Sequence, residues 1–425
     1  MTCDPQLDLF STRKYQDELF GAEYVTLRPI APLDSGPIDF LVENSKEYYD
    51  LSETILSLRL KVVNSEGKAI DVDPGNDNVA LINNSMHSVF SDVVIMINGK
   101  LIEEIPDGLY PYRAYITSLF SYSKDVQTQQ LFSEGFMRDD YANMDSVANG
   151  AFGIRKAWTA NGNIKYFYGK LNCGIFSQPR LMIPGVDIQL RLERSKDAFA
   201  LVSTNNLLKA KIVILEARLH LLTIKTNPDV LSAHALILGG GKPAIYEYNK
   251  LEIHTLPIKE NTKNYDKDDV FRGRVPNFLI MFMVSNSAFH GDYTLNPFNF
   301  KHYNLTSLSL TRDKENVPYE RFIPDFKTGN CLREYAAQYQ SSNLFGKNTV
   351  LPISYDEFKS GYTTFQFNLT DNRRGVNSAP YQNGDVSIDV VFSEPTPETV
   401  IMVFYAIFES QIQVFSDDRV IVDGV

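Results

Sequence analysis

The sequence has 425 residues, 44% of them hydrophobic and 22% charged, a composition that excludes a disordered chain. One core stops growing at about 250–300 residues, so this length predicts two domains. A formal net charge of −11 and a pI near 5.2 exclude binding to nucleic acid through the chain's own charge, and the densest basic spots, Arg272 with Arg274 and Arg373 with Arg374, are only pairs.

The chain opens Met1-Thr2-Cys3-Asp4-Pro5 without an apolar h-region, so no signal peptide is expected. Leu7, Leu9 and Phe10 form a short apolar run, separated from the first clear strand by the charged residues 13–18. From 55 to 63, Leu56, Leu58, Leu60 and Val62 alternate with Ser57, Arg59 and Lys61, the period of a half-buried strand. A helical turn is expected near 81–90, with Ile82, Met86, Val89 and Phe90 on one side. Residues 93–97 and 101–105 flank Asn98-Gly99, a hairpin signal, because Asn-Gly takes the positive φ of a tight type I′ turn. Tyr112, Tyr115, Ile116, Leu119 and Phe120 recur at helical spacing and predict an amphipathic helix over 109–122.

Residues 133–163, rich in Gly, Asp and Asn and without periodicity, read as a long loop. Val186, Ile188, Leu190 and Leu192 then alternate with polar residues, and 209–222 is apolar on both faces, which predicts a central strand covered on both sides. Strands are expected at 277–284 and 305–311, and a helix after Asn330 from the spacing of Leu332, Tyr335, Ala336 and Tyr339. Phe365, Phe367 and Leu369 alternate with Thr364, Gln366 and Asn368, as do Val386, Ile388, Val390 and Phe392 with Asp385, Ser387 and Asp389. Between them, 371–384 is a second long loop; 400–408 is again apolar on both faces.

The order strand, hairpin, helix, long loop, strand, strand thus occurs twice, offset by roughly 200 residues and with negligible identity between the halves. About eight strands per half is the number a jelly roll needs. The expected fold is all-β, a double jelly roll of two eight-stranded antiparallel β-sandwiches with short helices in the connections. An N-terminal arm would occupy 1–20, the first jelly roll 21–227 and the second 228–425, divided at Thr226-Asn227-Pro228.

No enzyme, metal or cofactor signal stands up. The six histidines form no HExxH or HxH pair; His220 reads as a satisfied strand residue, and His290, near Asp292, lacks a nucleophile motif. Gly239-Gly240-Gly241-Lys242 lacks phosphate-loop spacing and is followed by Pro243, so it reads as a flexible connector between strands. Asp71 to Asp77 departs from a calcium loop at Gly75 and Ile82 and reads as a turn. Cys3, Cys173 and Cys331 are far apart and make no CxxC knuckle or disulfide framework, which predicts reduced thiols. No run reaches the roughly 18 apolar residues of a membrane span. Asn-x-Ser/Thr matches at Asn83, Asn304 and Asn368 carry no weight without secretion.

Several blocks are similar to the major capsid protein of Polinton and adintovirus-like elements, in the adenovirus-related double jelly-roll lineage. They are Leu7-Asp8-Leu9-Phe10-Ser11, Ser35-Gly36-Pro37-Ile38, Glu47-Tyr48-Tyr49-Asp50-Leu51-Ser52 and His87-Ser88-Val89-Phe90-Ser91 leading into Ile97-Asn98-Gly99-Lys100. Tyr110-Pro111-Tyr112-Arg113-Ala114-Tyr115, Arg194-Ser195-Lys196-Asp197-Ala198-Phe199, the run from Asn296 to Leu305, and Phe392-Ser393-Glu394-Pro395 follow in order over nearly the whole chain. Ser11-Thr12-Arg13-Lys14-Tyr15 departs from the proline-containing residues expected there. The resemblance implies a structural protein of a double-stranded DNA virus: homotrimeric, pseudo-hexagonal capsomers that tile an icosahedral virion shell, without enzymatic activity. Minor capsid and penton proteins are its implied partners.

Aromatic residues exceed what two small sandwich cores need, so Tyr110, Tyr112, Phe298, Phe300, Tyr335 and Tyr339 are candidate subunit contacts. Leu7, Leu9 and Phe10 are candidate assembly contacts too, with packing along their own sandwich as the alternative. The competing function class is a carbohydrate-binding or hydrolytic two-sandwich protein, which needs paired carboxylates in a cleft or a stacking platform from the single Trp158.

Overall fold

A computed structural model describes residues 19–34, 36–43, 46–70, 79–146, 148–203, 209–342, 344, 351–370 and 383–422. The two four-stranded sheets of the first half are built from β1 Leu19–Leu27, β2 Ile38–Val42, β3 Tyr48–Val63, β4 Phe90–Ile97, β5 Lys100–Ile105, β6 Lys165–Lys170, β7 Ile188–Arg194 and β8 Lys211–Thr226, beside a short pair of Val79–Leu81 with Leu201–Ser203. The second half supplies β9 Ala244–Ile258, β10 Asn264–Lys267, β11 Phe278–Ser285, β12 Leu305–Arg312, β13 Glu315–Asn316, β14 Thr364–Asn368, β15 Val386–Phe392 and β16 Val400–Val414. Their sheets run β1-β8-β3-β6 and β2-β7-β4-β5, then β9-β16-β11-β14 and β10-β15-β12-β13. Counted within each half, both pairs read 1-8-3-6 and 2-7-4-5, all antiparallel, which is jelly-roll topology used twice. No described strand of residues 19–226 shares a sheet with one of 244–422. The fold is a double jelly roll.

Alternation drives the strands. Leu56, Leu58, Leu60 and Val62 are buried on one face of β3, and Val386, Ile388, Val390 and Phe392 on one face of β15. The longest pairing joins β9 to β16 without a break, from Ala244↔Val414 to Ile258↔Val400. At the β4–β5 hairpin Asn98 and Gly99 have φ of 48° and 73°, the tight turn their chemistry favours. Asn98 is also tied down: its carboxamide oxygen accepts from the Asp187 amide at 2.8 Å, and its Nδ2 donates to the Asp418 carbonyl at 3.2 Å.

Several expectations are corrected. Residues 133–163 are not a plain loop but contain the helix Gly150–Thr159, whose first turn is capped by the Asn149 side chain. β8 is not covered on both faces: Ile212 and Val213 are half-buried and Leu215 is exposed, whereas 400–408 is buried on both sides apart from the half-buried Ile407. Thr364 and Gln366 of β14 are buried as fully as Phe365 and Phe367, because the helix Leu332–Ser341 lies on their face and Gln338 accepts from Thr364 at 3.1 Å. That helix turns Glu334, Ala337 and Gln338 inward and leaves Leu332 exposed, so its apolar spacing misplaces the buried face. Gly239-Gly240-Gly241 ends a helix, Pro228–Gly239, instead of linking strands; Asn227 caps it and Pro228 opens it. β1 begins at Leu19, inside the stretch assigned to the arm. The calcium-like turn at 71–77 and most of the loop at 371–384 lie outside the described residues.

Candidate assembly surfaces

The two sandwiches meet on the helix Tyr110–Phe120, which is buried along nearly its whole length. Tyr112 packs against Phe282 and Phe298 and stacks on Phe289 at 5.4 Å, while Tyr115 stacks on Phe298 at 4.1 Å. Phe300 closes the cluster on Phe282 at 4.3 Å. Tyr112, Phe298 and Phe300 therefore fill the seam inside one chain, Tyr110 packs on His87 within the first half, and all four are fully buried and not available to a second copy. This corrects their reading as subunit contacts: the apparent aromatic surplus is the glue between the halves. Tyr335 and Tyr339 are half-buried at the edge of the second sandwich, bonded to each other at 3.3 Å, with Tyr335 donating to the Ile353 carbonyl at 2.9 Å. Leu7, Leu9 and Phe10 lie outside the described residues.

Polar ties pin the same seam. Arg113 is ion-paired with Glu103, both buried, and the Glu103 carboxylate also accepts the Gly174 amide at 2.9 Å. Burial alone would lower the Arg113 pKa; Glu103 outweighs it and holds the guanidinium above its ordinary value, so Arg113 stays charged. A Cβ on Gly174 would sit 2.3 Å from the Asn249 carbonyl oxygen, so only glycine allows this approach of the two halves. Tyr248 donates to the Ile102 carbonyl at 3.3 Å, and Thr117 and Tyr405 share a hydrogen bond of 3.1 Å. Asp139, wholly buried, accepts from Arg155 at 2.8 Å, from Asn149 at 2.7 Å and from Asn296 of the second half at 3.2 Å. Removing one member of such a buried set leaves an uncompensated charge, typically a loss of about 3–5 kcal/mol.

The seam also shows what is left uncovered. By register, Ile280 and Phe282 of β11 share a face with Val403 and Tyr405 of β16, and the helix Tyr110–Phe120 touches that face through Tyr112 and Thr117. The corresponding face of the β1-β8-β3-β6 sheet carries Tyr24, Thr26, Ser57, Arg59, His220, Tyr166 and Tyr168 by the same register logic. Among the described residues nothing covers its tyrosines: Tyr24, Tyr166 and Tyr168 are 49%, 52% and 41% exposed. In the second half, the connection between β13 and β14 corresponds to the one holding the helix Tyr110–Phe120 in the first. It presents Tyr319, Ile323 and Leu332, exposed by 77%, 64% and 60%. Sequence reasoning missed both patches, although Tyr166 and Tyr168 do alternate with the buried Phe167 across β6.

Elsewhere the chemistry is structural. His220 sits between Thr26 Oγ1 at 2.9 Å and Ser57 Oγ at 3.0 Å. His302 stacks on Phe326 at 4.2 Å, and burial pushes its pKa down to about 4. Trp158 is no sugar platform: it packs edge-on against Phe132 and Phe167, with Lys165 Nζ 4.4 Å from its ring centre. Cys173 and Cys331 are buried free thiols. Among the described residues no group of His, Cys, Asp and Glu could hold a metal ion, and no helix is long and apolar enough to cross a membrane.

No protein-family model matches the chain. Among solved structures, a chain of the Sputnik virophage superposes with a TM-score of 0.66 at 12% identity, covering 100% of this chain and 92% of that one. A chain of the PBCV-1 virus capsid gives 0.59 at 11% identity, over 98% and 99%. The mavirus major capsid protein gives 0.52 at 12% identity, over 100% and 95%. The fold is that of these virus capsid chains. At such identities the fold alone is shared. An uncharacterized protein of Caenorhabditis elegans is 22% identical over 396 residues, 90% of this chain and 91% of that protein.

Proposed function

We propose that this chain is a non-enzymatic major capsid protein of a double-stranded DNA virus, of the Polinton and adintovirus-like kind, and that three copies close into a pseudo-hexagonal capsomer. The collinear sequence blocks support the lineage, and the shared double jelly-roll fold supports the role. The chain would divide into rolls at 21–227 and 228–425, with the virion as its destination and minor capsid and penton proteins as further partners.

The observation that carries the trimer is the half-used seam. Within one chain, the first roll's connection packs on the second roll's sheet; the first roll's own sheet leaves Tyr24, Tyr166 and Tyr168 exposed, and the second roll's connection, although its helix Leu332–Ser341 packs on β14, leaves Tyr319, Ile323 and Leu332 exposed. Repeating the internal contact between copies would bring Tyr319, Ile323 and Leu332 of one copy onto Tyr24, Tyr166 and Tyr168 of the next. Such a head-to-tail contact forms a ring when its rotation closes, and two rolls per copy make six positions from three chains. A permanent interface of this type buries more than about 2,000 Å². Negative-stain images of the purified protein test it: hexagonal trimers or shells are expected, and isolated two-lobed monomers would overturn it.

A further inference from the structure

The helix Pro228–Gly239 has no buried residue although seven of its twelve residues are Val, Leu, Ile or Ala. One side of it roofs a groove of about 700 Å³, with Val230, Ile237 and Leu238 facing Leu181, Ile183 and Ile245, and Arg180 and Lys242 also lining it. Leu19, the first residue of β1, lines the same groove, so the chain preceding it starts there. We propose that this groove is the docking site of the chain's own segment Leu7-Asp8-Leu9-Phe10.

Reach, pattern and charge all fit. Phe10 is nine residues before Leu19, a span of at most about 30 Å when extended, which allows the segment to turn back onto a groove its own stem enters. In an extended segment Leu7 and Leu9 fall on one face and Asp8 on the other. Two leucines on one face suit the apolar lining, and the Asp8 carboxylate is opposite in charge to the Arg180 and Lys242 that also line the groove. The groove volume lies within the range of about 300–1,000 Å³ typical of clefts that hold ligands. Tethering through residues 11–18 supplies a high effective concentration, so a short segment suffices. Leu7, Leu9 and Phe10 then seal the junction of the two rolls in their own subunit instead of joining two subunits. The site lies within one chain and does not depend on the capsid reading; loss of trimers would leave it standing.

Two measurements on the full chain test it. Amide hydrogen exchange over 180–183 and 228–239 should be at least tenfold faster in the triple variant Leu7→Ser, Leu9→Ser, Phe10→Ser than in the parent chain. Equal exchange would overturn the proposal. In a Cys3→Ser background, Leu9→Cys with Val230→Cys should oxidise to a disulfide within one chain, leaving the denatured mass unchanged. A disulfide formed only between chains, or none, would overturn it as well.

Discussion

Arg138 Nε donates to the Glu357 carboxylate at 2.7 Å, and Lys124 Nζ reaches its other oxygen at 3.1 Å, so one acid of the second roll holds two cations of the first. Glu357 also closes a capping box with Ser354 at the start of the short helix Tyr355–Lys359. Arg138 and Glu357 are largely buried, while Lys124 is half-exposed and adds little. Glu357→Gln keeps the cap geometry and removes the charge. It should lower stability by about 2 kcal/mol. A denaturant midpoint equal to that of the parent chain would show that this bridge does not hold the seam.

Acid should weaken the chain in two steps. Burial pushes the Glu357 pKa up, but Arg138, the Ser354 amide and Lys124 outweigh it and bring it down to about 2, against 4.5 unfolded. Its contribution is therefore complete above pH 4.5 and lost as the pH falls toward 2. His302 is held neutral by burial, with a pKa of about 4 against 6.5 unfolded, so stability also falls between pH 6.5 and 4 as the unfolded chain takes up the proton. Thermal melts from pH 7 to 2 should show His302→Gln flattening the upper window and Glu357→Gln the lower one. Parallel curves for all three proteins would contradict both assignments.

Gly174→Ala drives a methyl group into the Asn249 carbonyl oxygen at a tight contact of the two rolls. Overpacking of this kind costs about 1–3 kcal/mol. The loss should appear as a lower melting temperature with strand content unchanged by circular dichroism. An unaltered melting temperature would mean that the rolls can part at this point without cost.

A Cβ added at Gly99 meets nothing within 4 Å, so the effect of Gly99→Val is chiefly conformational. A β-branched residue resists the φ of 73° at this position, and the cost should be about 1 kcal/mol or more. Stability equal to that of the parent would contradict the tight-turn geometry.

The sequence made legible whatever depends on near neighbours. The inward leucines of β3 declared their strand by period, and Asn98-Gly99 declared its turn by backbone preference. What lay hidden depends on distant neighbours. Residues 209–222 and 400–408 are equally apolar, yet Leu215, at a bulge of β8, is exposed, whereas Val403 is buried on the face that the first roll's helix covers. Tyr112 and Phe298 are 186 positions apart, so no local pattern shows that they pack on each other instead of on another subunit. The helix Gly150–Thr159 escaped notice because Gly150 and Gly153 interrupt its periodicity.

Sedimentation equilibrium across protein concentration and ionic strength tests the half-used seam most directly. The parent chain should sediment at three times 48.2 kDa, more tightly in added salt because each copy carries −11. The double variant Tyr166→Asp, Tyr168→Asp, altered only on the bare face of the first sheet, should remain folded and sediment as a monomer. A parent chain that stays at 48.2 kDa under every condition, or a double variant that still forms trimers, would contradict the ring built through that face.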